Sequence, residues 1–493
     1  MLLLAVGSVA CAGEVTLRRD TWGVPHLFAD TLPDAAFGLG FAQATDRLDQ
    51  LCRNYRLALG RMAEIEGPDQ VENDWQQRLA GHESVCRQRY PELPDDVRAV
   101  CEAFIAGVKA YVAEHPDRKP ASYLEPEPWM VPALGRLIIF GWPMGEATAD
   151  LGRRQENPPF SNEWAVRPER TADGAAILLT DPHIPWDGPF RFYEFRLHAG
   201  GVDVSGFAPL GAPVLGIGHN AFLGWACTTG GPDTTDVYVE QLDPQHPQRY
   251  RYDDGWRDIT SQTVTIRVRG AAAVTRQLER SHHGPIVLRE PGKAYAVACP
   301  YLDQIGVVTQ LFRMMIARNL TEFNDALGLC QLMPQNVMLA DVEGNLQYVR
   351  TGRVPIRPAG FDFSRPVPGN TSRSEWLGLH PFSDLIRVLN PPTGYLQNCN
   401  IAPDTMATGL GFDRTAYPAY LFNDTPGRTN SRGRRAVELL DNHPHLTLEE
   451  AQAIALDAHA DGGEAWLTAV GQAAAAVDLD AFFGDQAPAL RQA

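Results

Sequence analysis

The sequence is poor in several features that mark common protein classes. Its eight cysteines include no C-x-x-C pair, the spacing of many zinc and dithiol redox motifs, and they are spread singly as expected of buried thiols. Beyond the first residues, no apolar run approaches the roughly 18 residues that a membrane-spanning helix requires. Positive charge is scarce, because 43 Lys and Arg stand against 60 Asp and Glu, for a net charge of -17. The composition therefore argues against a membrane span and against nucleic acid as a partner.

Motifs of several familiar enzyme classes are also missing. The chain has no G-x-S-x-G nucleophile elbow, no H-E-x-x-H helix and no P-loop. Gly216–Ala221 matches the dinucleotide pattern G-x-G-x-x-A, but the segment that follows, Phe222–Trp225, is typical of a strand and not of the helix that this pattern requires. We therefore expect no nucleotide and no organic cofactor.

What is present describes a globular, turn-rich protein. Of its 493 residues, 44% are hydrophobic and 21% charged, with 44 Gly and 38 Pro, so the chain can bury a sizeable core as about three units or as one large layered domain. The apolar start, residues 1–12, ends in Ala10-Cys11-Ala12, which fits a signal-peptidase site. The segment is short and lacks a basic n-region, so two interpretations stay open: a signal segment of a periplasmic or secreted protein, which we expect, and a mis-called or truncated start.

The periodicity of the chain changes near residue 160. Residues 13–150 are predicted to be mainly helical, with one helix from near Asp34 to Gly67-Pro68 and another from Asp95 to about Glu114. Residues 151–160 are predicted to form a polar, proline-bearing linker, and residues 161–493 a strand-rich part. The short apolar runs of that part are 175–179, 214–217, 263–268, 294–298 and 346–350, and helical patterning returns at 431–442 and 447–459.

The most informative segment is Ser161–Val166, S-N-E-W-A-V, which Asp181–His183 and Gly218–Asn220 follow downstream. A serine hydroxyl needs a base to become a good nucleophile. If the Phe160–Ser161 bond is cut, Ser161 gains an α-amine with a pKa of roughly 7.7 to 8.0, which can serve as that base. Alone, the motif would be an ordinary strand start or N-cap.

In order along the chain, these segments resemble the penicillin acylase family of N-terminal-nucleophile amidohydrolases. The resemblance spans nearly the whole chain, through R-D-x-x-G-V-P-H at Arg19–His26, D-R-L at Asp46–Leu48, the three segments named above, Trp225, and N-x-x-x-A-D-x-x-G-N-L at Asn336–Leu346. It implies an α+β fold, an αββα sandwich with a mainly helical N-terminal part. It also implies a precursor that cuts itself before Ser161 and whose two chains stay associated.

The resemblance assigns roles to individual residues. Ser161 is the implied nucleophile and its own amine the base, with Asn336 and the backbone N–H of Thr229 as oxyanion donors. His183 matches a position beside the amine, and Arg357 an arginine that orders the site. The implied acyl pocket consists of Phe140, Met144, Ile184 and Ile217.

A structural Ca²⁺ is implied by the same resemblance. Asp233 and Asp236 follow the G-H-N segment at the family's ligand spacing, and Asp150 matches a ligand from the helical part. Hard oxygen ligands suit calcium. Without the resemblance, Asp233 and Asp236 could as well cap a turn.

Two departures from the family pattern leave alternatives open. Related sequences carry Gly before the nucleophile, whereas Phe160 narrows the backbone conformations open to a self-cleaving bond. They also continue well beyond Ala493, so we expect the chain to be incomplete at its C-terminus. We predict an acylase for amides of a hydrophobic acyl group, of the penicillin type. The alternatives are an N-acyl homoserine lactone acylase and an uncleaved member that only binds acylated ligands.

Overall fold

The computed structural model describes residues 2–4, 13–153, 160–460 and 462–476. Most of the predicted signal segment, including Cys11, and most of the predicted linker at 151–160 lie outside this range. Among the described residues, no helix is both long and apolar enough to cross a membrane. The described cysteines are free thiols, and all but the half-buried Cys227 are buried.

Helices dominate the described residues up to position 150, and strands dominate from 160 to about 400. The helices are α1 Leu32–Ala58, α2 Ala63–Glu66, α3 Val71–Ala80, α4 His82–Arg89, α5 Asp95–Glu114, α6 Met130–Asp150, α7 Val307–Ile316, α8 Leu320–Leu327, α9 Ala419–Phe422, α10 Ser431–Asn442, α11 Leu448–Ala455 and α12 Gly463–Ala476.

The strands are β1 Leu2–Leu4, β2 Val15–Arg19, β3 Pro25–Ala29, β4 Phe160–Val166, β5 Ile177–His183, β6 Phe192–Ala199, β7 Val202–Pro209, β8 Ile217–Asn220, β9 Leu223–Thr229, β10 Asp236–Gln241, β11 Arg249–Tyr252, β12 Gly255–Asp258, β13 Thr260–Ile266, β14 Val274–Arg280, β15 Ile286–Glu290, β16 Lys293–Ala298, β17 Gln335–Asp341, β18 Leu346–Thr351, β19 Val367–Pro368, β20 Arg387–Leu389 and β21 Tyr395–Asn398.

Helix α1 begins and ends on local signals. The Thr31 side chain accepts a hydrogen bond from the Asp34 N–H at 3.2 Å and caps its start. We predicted that this helix continues to Gly67-Pro68, which is wrong, because the chain leaves the helix after Ala58 and Gly60 takes a left-handed φ of 59°. In contrast, α5 and α10 have the predicted bounds.

Helices α1 and α5 cross in close contact. A Cβ at Gly40 would lie 2.0 Å from the carbonyl oxygen of Phe104, and a Cβ at Gly107 would lie 1.9 Å from that of Phe37. Only glycine permits so close an approach of the two backbones.

The layers of the fold follow from the sheets and their cores. A ten-stranded sheet has the order β1-β2-β3-β6-β7-β8-β9-β17-β18-β20, and a three-stranded sheet has the order β21-β4-β5. Helices α1, α5, α6 and α7 share the main core with one face of the large sheet. The small sheet packs on its other face, and α10 and α11 cover the small sheet from outside. The described residues therefore form the predicted αββα sandwich.

Strand parity decides which side chains meet between the two sheets. On β17, Val337 and Leu339 join the helical core, whereas Met338 joins the core between the sheets. On β4, Trp164 packs toward α10 and α11, whereas Ala165 faces the large sheet. Because side chains alternate along a strand, Ser161 on β4 and Asn336 on β17 both lie on the faces between the sheets.

Candidate active site

Ser161 is 2% exposed and is held by three hydrogen bonds. Its N–H donates to Asn400 Oδ1 at 2.8 Å, and its carbonyl oxygen accepts from Arg432 Nη1 at 2.9 Å. Its Oγ donates to the carbonyl oxygen of Phe160 at 2.6 Å. The hydroxyl therefore lies against the peptide group where cleavage is predicted.

Asn400 joins Ser161 to the end of β9. Its Nδ2 donates to the carbonyl oxygen and to Oγ1 of Thr229, both at 2.9 Å, and its Oδ1 also accepts from Arg432 Nη2 at 3.0 Å. Asn400 has a left-handed φ of 62°, a conformation that asparagine tolerates better than most residues. The polar network thus fixes the backbone nitrogen of Ser161 relative to Thr229.

Asn336 is fully buried on β17 of the large sheet. Hydrogen bonds to both its Oδ1 and its Nδ2 fix the orientation of the side-chain amide. Its Oδ1 accepts from the Tyr348 hydroxyl at 2.5 Å and from Arg350 Nη1 at 3.2 Å. Its Nδ2 lies 3.0 Å from Thr228 Oγ1 and 3.1 Å from the Thr229 carbonyl oxygen. Because both donors contact Oδ1, the Nδ2 hydrogens must point toward the end of β9.

Glu163 lies two residues after Ser161 on the same face of β4 and is also fully buried. Burial raises the pKa of its carboxyl well above the usual value, and the Thr228 hydroxyl at 3.5 Å compensates only in part. We expect Glu163 to be protonated at neutral pH, which keeps an uncompensated charge out of the core beside the serine.

His183 does not reach Ser161 in this structure. In the β4–β5 ladder Ser161 pairs with Pro182, so His183 pairs with Phe160 and lies on the outer face of the small sheet. Its Nε2 lies 2.9 Å from Asp181 Oδ2 and 3.4 Å from Asn162 Nδ2, both on that outer face. The prediction placed His183 beside the amine of Ser161, but Pro182 is the residue opposite Ser161. Neighbouring residues of a strand lie on opposite faces, so His183 lies on the other face of the small sheet.

An apolar cavity of about 140 Å³ ends at Ser161. Its polar end is formed by Ser161, Thr228, Thr229 and Gln335, and α6, α7 and the ends of β7 to β9 supply apolar walls. The predicted pocket residues Ile184 and Ile217 line it.

Phe140 and Met144 are not among its lining residues. The cavity face of α6 carries Ile138, Ile139 and Trp142, whereas the Phe140 ring packs against the His82 ring at 5.0 Å. Successive side chains of a helix are rotated by about 100° around its axis. The resemblance to the family is weaker in this segment, and the two positions it indicates, Phe140 and Met144, lie on a side of α6 that does not line the cavity.

The predicted calcium ligands lie together with two further charged side chains. Arg357 pairs with Asp233 Oδ2 at 3.0 Å and with Asp236 Oδ1 at 2.9 Å. Glu146 Oε2 accepts from the N–H of Thr234 at 3.0 Å and from its hydroxyl at 2.7 Å. Arg357, which we predicted to order the site around Ser161, thus contacts the acid cluster Glu146, Asp150, Asp233 and Asp236 instead.

The carboxyl groups of the acid cluster have raised pKa values. Burial, followed by the charges of Asp233 and Asp236, raises the pKa of Asp150 to about 8. Burial raises the pKa of Asp233 to about 6, against the lowering effect of Arg357. Asp150 Oδ2 is buried and has no hydrogen-bond partner among the described residues. One guanidinium therefore faces four carboxyl groups, of which Asp236 is buried and Glu146, Asp150 and Asp233 are half-buried.

Comparison with known proteins bears on this architecture. Residues 14–492 match the family model of penicillin amidase. The chain belongs to the penicillin amidase family. This membership confirms the resemblance found in the sequence.

Individual relatives support the same assignment. The penicillin acylase 2 proenzyme of Pseudomonas sp. (strain SE83) is 28% identical over 92% of this chain and 66% of its own. The penicillin G acylase of Escherichia coli is 32% identical over 60% of this chain and 34% of its own. The acyl-homoserine lactone acylase PvdQ of Pseudomonas fluorescens is 29% identical over 69% and 50%. The chain thus spans about two thirds or less of the length of these relatives.

A solved structure shares the fold. A penicillin G acylase from Alcaligenes faecalis is similar with a TM-score of 0.51 and 30% identity, over 59% of this chain and 51% of that chain. The predicted α+β fold of the N-terminal-nucleophile hydrolase type is confirmed by this likeness.

Sequence reasoning missed Asn400, Arg432 and Glu146. Asn400 lies two residues after the end of β21, in the polar segment Gln397–Asn400. Arg432 lies in the first turn of the predicted helix α10, and Glu146 lies one turn before Asp150 on α6. A spacing of four residues from Asp150 on a helix was a signal for Glu146, since such residues share a face.

Proposed function

We propose that this chain is a self-processing acylase that hydrolyses the amide of a hydrophobic acyl group through an acyl ester on Ser161. The observation that carries the proposal is the position of Ser161 at the polar end of an apolar cavity, with its backbone nitrogen 2.8 Å from Asn400 Oδ1. Family membership supports the same chemistry.

The proposed reaction uses groups that surround Ser161. Cleavage of the Phe160–Ser161 bond frees the amine, which takes the proton from Oγ directly or through a water. The guanidinium of Arg432 is bound to the same Asn400 Oδ1, and a nearby positive charge favours the neutral, basic form of an amine. Oγ then attacks the acyl carbon, the amine product leaves, and water hydrolyses the ester.

Oxyanion stabilisation is assigned to Asn336 Nδ2 and to the backbone N–H of Thr229. The fixed orientation of the Asn336 amide supports its part, because preorganised donors need no rearrangement when charge develops. His183 stays a predicted site residue whose role would require its segment of β5 to rearrange.

The cavity supports a compact acyl group. An apolar cavity of about 150 Å³ accommodates benzene, and the cavity at Ser161 measures about 140 Å³. An aryl or short acyl chain, as in penicillin-type amides, therefore fits better than a long one. The second candidate is an N-acyl homoserine lactone amide, favoured by the acyl-homoserine lactone acylase among the relatives.

A structural divalent cation, Ca²⁺, belongs to the same proposal. The unpartnered Oδ2 of Asp150 and the excess of carboxyl groups over guanidinium groups in the cluster fit a hard cation. Arg357 already pairs with Asp233 and Asp236, so Asp150 and Glu146 are the first residues that would hold it. A bound cation would supply positive charge and tie the helical part to the strand-rich part.

Action in the periplasm or outside the cell remains part of the proposal. It is supported by the sequence of residues 1–12. Sequencing the N-terminus of the mature protein from its native host tests it, and a terminus that retains residues 1–12 would contradict it.

The decisive experiment compares Ser161→Ala with an exposed serine on β13, Ser261→Ala. Intact mass and N-terminal sequencing are expected to find two fragments, one starting at Ser161, in wild type and Ser261→Ala. Ser161→Ala is expected to stay a single chain of 54.2 kDa without amidase activity. A single active chain in the wild type would overturn the mechanism, and a single inactive chain would favour the ligand-binding alternative.

Acyl specificity is tested by competition between phenylacetyl, hexanoyl and dodecanoyl amides of one amine. We expect the phenylacetyl amide to have the highest kcat/KM. Preference for dodecanoyl would contradict the compact pocket, and cleavage of homoserine lactone amides alone would favour the second candidate.

A further inference from the structure

A second cluster of ionisable side chains lies on a different sheet from Ser161. Four strands in the order β15-β16-β10-β19 form this sheet. Glu240 comes from β10, His282 and His283 from the connection between β14 and β15, and Glu375 from the segment after β19. None of these four residues lines the cavity at Ser161.

The two imidazoles lie close together and each contacts a carboxylate. One ligand atom from each of Glu240, His282 and His283 lies within 4.8 Å of the others. His283 Nδ1 is 2.7 Å from Glu240 Oε1. Glu375 Oε1 is 2.9 Å from His282 Nε2 and 3.2 Å from His283 Nε2, so Glu375 lies between the two Nε2 atoms and Glu240 lies at the opposite nitrogen of His283.

Surrounding aromatic residues hold both imidazoles in place. The Tyr250 hydroxyl lies 2.8 Å from His282 Nδ1, and the Tyr252 ring meets the His282 ring edge-on at 4.8 Å. The Tyr238 ring stacks on His283 at 3.7 Å. Such outer partners fix ring orientation and tautomer in metal sites, where they are nearly as important as the ligands.

Hydrogen bonding within the cluster does not satisfy every polar atom. The Glu240 side chain is fully buried, yet its Oε2 has no hydrogen-bond partner among the described residues. A buried carboxylate oxygen without a partner is costly, and Oε2 lies beside Gly369, so the Glu240 charge depends on the His283 imidazole that Oε1 contacts.

We propose that Nε2 of His282, Nε2 of His283 and the Glu375 carboxylate bind a transition-metal ion of the Zn²⁺ class, while Glu240 holds the other nitrogen of His283, Nδ1, as an outer partner. Two imidazoles and one carboxylate are a donor set that suits zinc, whereas Ca²⁺ takes oxygen ligands. The ion joins the β14–β15 connection to the segment after β19, and Glu240 ties His283 to β10. The ion therefore stabilises the strand-rich part and takes no part in the chemistry at Ser161.

The test is zinc binding to the untagged chain after chelator treatment and dialysis. Isothermal titration with ZnCl₂ is expected to give one site per chain that His282→Gln or His283→Gln weakens at least about 100-fold, more than loss of an outer partner costs. Co²⁺ in the same site is expected to give the visible absorption of a tetrahedral complex. His380→Gln is the matched control, since His380 also pairs with a carboxylate, Asp384, at 2.9 Å, and it should bind zinc like wild type.

Failure of the wild type to bind zinc would overturn the proposal without any variant. Binding at unchanged affinity in His282→Gln would also overturn it, because the ion would then lie elsewhere, as on the acid cluster around Asp150. If His283→Gln does not fold, the His282→Gln variant decides, since the His282 side chain is 25% exposed and its replacement disturbs the core less.

Discussion

At the scale of single residues, Asn336 is the strongest test of the proposed chemistry. Its Nδ2 is aimed at the end of β9 by the donors on its Oδ1. We expect Asn336→Ala to lower kcat by about 10² to 10³-fold, the usual effect of losing one oxyanion donor. Steady-state kinetics on already cleaved protein measures it, with circular dichroism to verify folding.

Tyr348→Phe is a milder change that tests the same side-chain amide, because the Tyr348 hydroxyl donates to Asn336 Oδ1. It removes one donor to Asn336 Oδ1 but leaves Arg350, so the amide keeps its orientation in part. We expect a loss of roughly tenfold or less, since one hydrogen bond is worth about 1 kcal/mol. Equal losses in Tyr348→Phe and Asn336→Ala would mean that Asn336 acts through packing rather than as a donor.

Glu163 offers a prediction on pH. Its folded pKa is raised above the unfolded value near 4.5, so the stability of the protonated state is fully present below about that pH and is lost as pH rises toward the folded pKa. Glu163→Gln cannot ionise when unfolded and escapes this loss. We therefore expect the melting temperature of Glu163→Gln, relative to wild type, to increase from pH 4 to pH 8.

Scanning calorimetry across that pH range provides the measurement. Glu290→Gln, a change on the exposed part of β15, is the control and should shift little with pH relative to wild type. A constant difference between Glu163→Gln and wild type at all pH values would show that Glu163 ionises in the folded protein.

Individual residues of the site differ in whether they could be predicted from the sequence. Ser161 and Asn336 belong to motifs with several fixed neighbours, and both lie between the sheets as strand parity requires. Asn400 comes 239 residues after Ser161 and contacts it only because β21 pairs with β4. No local pattern encodes that pairing, so a residue of this kind is found only after folding is known.

At the scale of elements, one face of α6 forms a wall of the cavity. Ile138, Ile139 and Trp142 line it, whereas Met144 lies outside the lining. Ile138→Trp adds an indole to a space of about 140 Å³. We expect kcat/KM for a phenylacetyl amide to fall at least about tenfold, with a smaller loss for an acetyl amide, since pocket fit is worth about 1–3 kcal/mol.

Met144→Leu is the matched control on the same helix. The substitution conserves volume and lies outside the lining, so the ratio of the two rates should stay as in wild type. An equal fall for both substrates in Ile138→Trp would indicate a disturbed fold instead of a filled pocket.

Elements differ in how well their bounds follow from sequence. Helices α5 and α10 match the prediction because strong stop and start signals, His115-Pro116 and the Asn430 cap, coincide with the ends of the apolar stripe. The stripe of α1 continues past its true end. After that end, the chain turns at Gly60. The Asp74 carboxylate then accepts hydrogen bonds from the N–H groups of Met62 and Ala63, at 2.8 Å each, and α2 begins there.

At the scale of the whole molecule, the two parts on either side of Ser161 share one core. Helices α1, α5 and α6 pack on strands that follow Ser161, and β3 pairs in parallel with β6 inside the large sheet. We expect cleaved protein to elute as one species in native size exclusion and to separate into two chains only under denaturing conditions. Separation under native conditions would contradict the shared core.

The acid cluster connects the same two parts, since Glu146 and Asp150 lie on α6 and Asp233 and Asp236 lie after β9. Four buried or half-buried carboxyl groups around one guanidinium favour a bound cation, so removing the cation should increase their mutual repulsion. We expect EGTA to lower the melting temperature of cleaved protein and Ca²⁺ to restore it, whereas Asp150→Asn should remove this response by eliminating the acid with the orphaned oxygen. The His282→Gln variant is measured in parallel, so that a response of the histidine cluster to EGTA is distinguished from that of the acid cluster. A melting temperature independent of Ca²⁺ in wild type would mean that Arg357 and protonated carboxyl groups balance the cluster without a metal.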